Sequence, residues 1–177
     1  MDIEARDSDG RTALMVAAKR GRETMIETLV ESGADIEARD ENGLTPLMLA
    51  AKQQFAGGAI RPLHEKGADL DARDEHGRTA LMIAIASTHM VQARELIDIG
   101  ADLDAQTEEG ATALMIAADD ATETTVDDVA IIQTLLDAGA DPSLRNDAGE
   151  TAGDMAADNS KIREYDVFWR LHDARFD

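Results

Sequence analysis

The 177-residue chain contains no cysteine, three prolines and five aromatic residues. Without cysteine neither disulfides nor thiolate metal sites can form, and the redox compartment is left open. So few aromatics give little bulk around which to close a thick globular core, and a thin, elongated core suits the composition better. No apolar run reaches the roughly 18 to 20 residues of a membrane-spanning helix. The acidic start Met1-Asp2-Ile3-Glu4 is unlike a secretory signal, so the expected location is the cytoplasm. Basic residues are also scarce, 17 against 37 acids, for a net charge of -20. A surface of that sign repels nucleic-acid phosphate and anionic lipid. It favours a protein partner with a basic surface. At 44% hydrophobic and 31% charged, the chain should nonetheless fold.

What is present is a period. Gly10, Gly43, Gly77 and Gly110 stand 33, 34 and 33 residues apart, each followed two positions later by Thr12, Thr45, Thr79 and Thr112. The same pair returns at Gly149 and Thr151. After each of the first four threonines come Ala13-Leu14-Met15, Pro46-Leu47-Met48, Ala80-Leu81-Met82 and Ala113-Leu114-Met115, then alanines at 17, 50, 84 and 117. A second ladder of Gly-Ala-Asp begins at Gly33, Gly67, Gly100 and Gly139. Such a period marks a repeat array.

Within one period Leu14, Ala17 and Ala18 recur at helical spacing, as do Met25, Ile26, Leu29 and Val30. This predicts two short helices, each too short to stand alone. Stacking on neighbours would bury the alanine faces and the larger Leu29, Leu63, Leu96 and Leu135. The four threonines are well placed as N-caps, with Pro46 at a first helical position. Gly33, Gly67, Gly100 and Gly139 fall where a left-handed residue would close the second helix.

These residues resemble the ankyrin repeat family, whose one-letter signature is T-P-L-H-x-A on a period near 33. Methionine stands where the family usually has histidine, and alanine replaces proline in three of the four full repeats. The resemblance implies an all-α solenoid of helix-turn-helix units with protruding β-hairpin or loop fingers. Repeats are assigned to 7–39, 40–73, 74–106, 107–145 and 146–177, in a single domain. Residues 1–6 nearly repeat 34–39, so the chain is expected to open inside a preceding repeat. The last repeat diverges into Tyr165, Phe168 and Trp169 and reads as a cap.

Two repeats are irregular. The second carries Phe55-Ala56-Gly57-Gly58 and then Pro62, so its outer helix is expected to start late, near Ile60 to Pro62. The fourth has six extra residues within 119–128, a stretch with five acids and no base. A solvated acidic loop, a docking element for a basic partner and a divalent-metal site are the three readings; the aspartate spacing does not fit a calcium loop. Charge is graded as well: residues 107–145 hold nine acids against one arginine, while 7–73 hold twelve acids against nine bases.

In the resembling family, partners touch the finger tips and the inner helix face. Carried onto this chain, the candidates are Arg11, Lys19, Arg20 and Arg39, then Glu41, Asn42, Leu44, Lys52, Gln53 and Arg73, with Phe55 added as an exposed anchor in the irregular second repeat. Glu75, His76, Arg78, Ser87 and Gln106 follow, then Glu108, Glu109, Asp119 and Asp120. No catalytic, cofactor or metal site is expected. The four histidines sit at unrelated repeat positions, no pair has zinc-site spacing, and the glycines recur once per repeat instead of forming a phosphate loop. The expected function is a monomeric, non-enzymatic module that binds a protein with a basic surface near residues 107–145. A stand-alone acidic inhibitor or immunity-type protein for a basic enzyme, and a structural spacer in a larger protein, are the alternatives.

Overall fold

The computed structural model describes residues 2–53, 58–119, 126–159, 162 and 165–173. Among them the regular structure is helical, without strands, and the helices come in five consecutive pairs. Residues 1–101 form one compact unit with α1 (Ala13–Lys19) and α2 (Glu23–Glu31), α3 (Pro46–Ala51) and α4 (Ile60–Glu65), and α5 (Ala80–Ala86) and α6 (Met90–Asp98). Residues 102–177 form a second, with α7 (Ala113–Ala118) and α8 (Val126–Ala138), then α9 (Ala152–Asp158) and α10 (Asp166–Asp173).

The start of every first helix is set by one residue type. Thr12, Thr45, Thr79, Thr112 and Thr151 are buried N-caps, each accepting the backbone N–H three residues on. This satisfies a donor that the helix leaves orphaned, a contribution of about 1 kcal/mol per cap. Methionine completes the motif in an unusual way: the Thr12 N–H donates to Met15 Sδ at 3.4 Å, and that of Thr112 to Met115 Sδ at 3.5 Å. In the last pair Asp154 takes this place, its Oδ2 accepting the Thr151 N–H at 3.0 Å.

The ends are equally regular. The Gly33 N–H donates to the Val30 carbonyl and the Ala34 N–H to the Leu29 carbonyl, a double closure in which Gly33 is left-handed with φ 90°. The pattern recurs at Gly67-Ala68, Gly100-Ala101 and Gly139-Ala140. The Gly-Ala ladder of the sequence is therefore a set of helix ends. As the sequence predicts, α4 begins at Ile60, and Pro62 falls in its first turn, where a missing N–H costs no helical bond.

Packing follows from these phases. In the first unit α1 lies against α3, α3 against α5, α2 against α4 and α4 against α6. Met15, Met48, Met82, Leu63 and Leu96 are buried between layers. Each such side chain contributes roughly 1.5–3 kcal/mol of burial. Leu29, at the phase of Leu63, is only half-buried and Met25 is exposed, since among the described residues no helix pair packs on that side of α1 and α2. In the second unit α7 packs on α9 and α8 on α10, around Leu114, Met115, Ile132 and Leu135.

The expected aromatic cap is only partly built. Phe168 is buried with Ile162, Val167 and Leu171, whereas Trp169 is 59% exposed and Tyr165 also faces solvent. On α10 residues 167, 168 and 171 share the apolar stripe, and position 169 falls on the opposite side. Phe176 lies outside the described residues.

Candidate functional site

The segments between helix pairs are the fingers, and they contain few apolar residues. They are shaped by aspartate. Asp7 Oδ1 accepts the N–H groups of Asp9 and Arg11, both at 2.9 Å, while the Gly10 N–H returns to the Asp7 carbonyl. Asp40 and Asp74 repeat this turn, Thr107 does so through its hydroxyl, and Asn146 accepts the Glu150 N–H. A short polar side chain thus replaces the ladder partner that a strand would supply. The left-handed Gly10 is needed for contact as well as for φ. A Cβ there would meet Glu41 Cγ of the next finger at 2.7 Å.

Neighbouring fingers are tied by two further sets of side chains. Arg6 Nη1 donates to the carbonyls of Gly10 and Arg39, both at 2.6 Å, and Arg39 Nη1 to those of Gly43 and Arg73, at 2.8 and 2.6 Å. Gln106 Nε2 does the same for Gly110 and Arg145. Carboxylates run the other way: Glu4 accepts the Asp35 N–H, Glu37 the Asp69 N–H, and Asp104 the Asp141 N–H. Burial pushes the Glu37 carboxyl above the ordinary glutamate value, against the bond from Asp69. Asp7 is held below the ordinary aspartate value by the Arg11 and Asp9 backbone bonds.

These bonds sort the sequence candidates. Arg39 and Gln106 hold one finger to the next, and the Arg73 carbonyl is one of the acceptors. Arg78 closes on the buried Asp74 at 2.7 and 2.8 Å. Burial raises the Asp74 pKa, yet the Arg78 side chain and the backbone N–H groups of Arg78 and His76 outweigh it and hold the carboxyl low. Leu44 requires a correction: it is 4% exposed and belongs to the core, because the finger folds it inward where Arg11 and Arg78 stand partly in solvent. It cannot serve as an exposed anchor.

The remaining candidates fall at two repeat positions within each unit. Glu41, Asn42, Glu75 and His76 occupy finger tips in the first unit, and Glu108 and Glu109 one in the second. Arg20 and Lys52 are exposed and Lys19, Gln53 and Ser87 half-buried at the C-terminal ends of α1, α3 and α5, and Asp119 is exposed at the end of α7. Arg11 is half-buried, its Nη1 paired with Asp9 at 2.5 Å and its Nε 3.6 Å from Asp40 Oδ2. Phe55, Asp120 and most of the 119–128 segment lie outside the described residues. The sequence reading missed the structural use of the finger aspartates. Their recurrence at 7, 40 and 74 is the signal that could have revealed it.

Two comparisons bear on this architecture. A family model described as ankyrin repeats (3 copies) matches residues 1–74 and 55–146. No curated protein matches the chain.

Proposed function

The chain belongs to the ankyrin repeat family, generally modules for protein–protein interaction, and from that premise we propose that its finger tips and first-helix ends bind a partner protein without catalysing a reaction. We read the five helix pairs as the five repeats assigned above. One observation carries the proposal. The residues that build each finger recur from repeat to repeat and are consumed by internal bonds, whereas the exposed tip position beside the recurring Glu41, Glu75 and Glu108 changes from Asn42 to His76 to Glu109. A regular scaffold carrying variable exposed side chains suits recognition. Affinity capture from the source cell, repeated with Glu41, Glu75, Glu108 and Glu109 reversed to lysine, tests it. Loss of the captured protein is expected; an unchanged set of captured proteins sinks the reading.

The acidic-inhibitor alternative draws on residues 107–145, with nine acids against one arginine. Acid-rich surfaces accelerate association with basic targets and make it salt-sensitive. An affinity that falls by orders of magnitude from low to high salt favours it, and a flat salt response removes it.

A further inference from the structure

The first unit contains a feature that runs against the charge of the chain. A groove of about 350 Å³ is lined by Asp7, Asp9, Arg11, Val16, Lys19, Arg20 and Gln53. Lys52 holds at the end of α3 the repeat position that Lys19 holds at the end of α1, and the two helices pack together. Lys19, Arg20 and Lys52 have no ion pair or side-chain hydrogen bond among the described residues. In a protein with 37 acids, two cations that line one groove without a direct ion pair, Lys19 acting on Asp7 only through space, are a departure that solubility does not call for.

Arg11 gives the second observation. At the same finger position Arg78 closes fully on Asp74. The Arg11 guanidinium is instead divided: Asp9 holds Nη1, while Nε and the facing Asp40 Oδ2 are both buried without a hydrogen bond. Asp9 is 57% exposed and sits on the rim of the groove. It occupies Arg11 as an incoming carboxylate would, and it can leave without cost to the core.

We propose that this groove is an anion-recognition pocket for an acidic segment of a partner protein, with Lys19 and Arg20 binding its carboxylates and Asp9 acting as a built-in competitor for Arg11. The proposal deepens the partner-binding reading and rests on it. A short acidic peptide is favoured over nucleic acid because screening confines its attraction to the local cations, whereas a long polyphosphate would also meet the acidic remainder of the chain.

The test uses the full chain and an acetylated, amidated octaglutamate peptide at low salt, with titration calorimetry and amide chemical shifts. Shifts are expected around residues 7–20 and 52–53. Lys19→Glu with Arg20→Glu should weaken binding roughly tenfold or more, and Asp9→Ala should strengthen it about twofold to fivefold. Asp9 is exposed, so its variant retains the fold, and its gain of affinity could not come from damage. Tighter binding after Asp9→Ala is the decisive support. Unchanged or weaker binding in that variant, shifts confined to other residues, or tighter binding of a single-stranded oligonucleotide at the same place would each overturn the pocket. If the double charge reversal leaves partner capture intact and the peptide does not bind, the pocket fails and the partner reading stands. Peptide binding here without any captured partner gives the converse.

Discussion

Thr88 is the one non-glycine residue with positive φ among the described residues, at 56°, and it sharply tests the view that each repeat follows a common backbone plan. It follows α5 as Gly21 follows α1, nine residues after the capping threonine. The bonds are the same: Gly21 and Thr88 donate to the carbonyls of Ala18 and Ile85, and Arg22 and His89 to those of Ala17 and Ala84. The closure therefore demands a left-handed residue, and a β-branched side chain there costs about 1–2 kcal/mol. Replacing it with glycine removes that strain but restores about 0.5–1 kcal/mol of unfolded-state freedom. The exposed Thr88 Oγ1 bond to the Ser87 carbonyl is also lost, at about 0.5 kcal/mol. Thr88→Gly should thus stabilise the chain slightly, by up to about 0.5 kcal/mol, whereas Gly21→Thr should destabilise it by about 1 kcal/mol. Urea unfolding followed by far-ultraviolet circular dichroism, with amide exchange at residues 88–90 and 21–23, reads both. Destabilisation by Thr88→Gly of more than about 0.5 kcal/mol would refute the reasoning, since relief of strain could not then offset the lost bond and the freer unfolded chain.

Two further outcomes follow from the fingers. Arg39→Ala removes two charge-assisted bonds whose acceptors return to water, so a loss of about 1 kcal/mol is expected in urea unfolding; a change under about 0.3 kcal/mol would show that the finger-to-finger tie carries no weight. The Asp74 carboxyl has a folded pKa below its ordinary 3.8, so its stabilisation is complete above that value and is lost as pH falls through the folded pKa. Asp74→Asn should therefore flatten the loss of stability below about pH 4, and acid limbs of equal slope in the two proteins would refute this.

The helix pairs were legible because one residue type at one phase carries each boundary. A threonine hydroxyl can cap, a glycine can turn left, and Pro62 can stand only near a helix start, so the sequence states the geometry with little ambiguity. The methionines were legible as core and illegible as caps, since a thioether accepting the Thr12 N–H is a weak and uncommon partner. Leu44 misled because its phase is shared with Arg11 and Arg78, and phase alone does not say which way a finger residue folds. Arg39 misled for the opposite reason: an exposed arginine reads as a contact until the carbonyls of two fingers are seen to converge on it.

Charge shows most clearly how the two levels differ. An excess of acids reads from sequence as a docking signal, yet Asp2, Asp35, Asp69, Asp102 and Asp141 each accept the backbone N–H two residues on, and Asp7, Asp40 and Asp74 each accept two such groups. Fingers without strands leave their N–H groups without a ladder, and a carboxylate is the strongest small acceptor available. Each added repeat then brings several structural acids whatever the partner is, so a negative total follows from the architecture. Local departures from that background carry more information than the total does. Lys19, Arg20 and Lys52, which the fingers do not need, are such a departure, and Glu108 and Glu109, whose carboxylates accept no backbone N–H among the described residues, are the acids to test first.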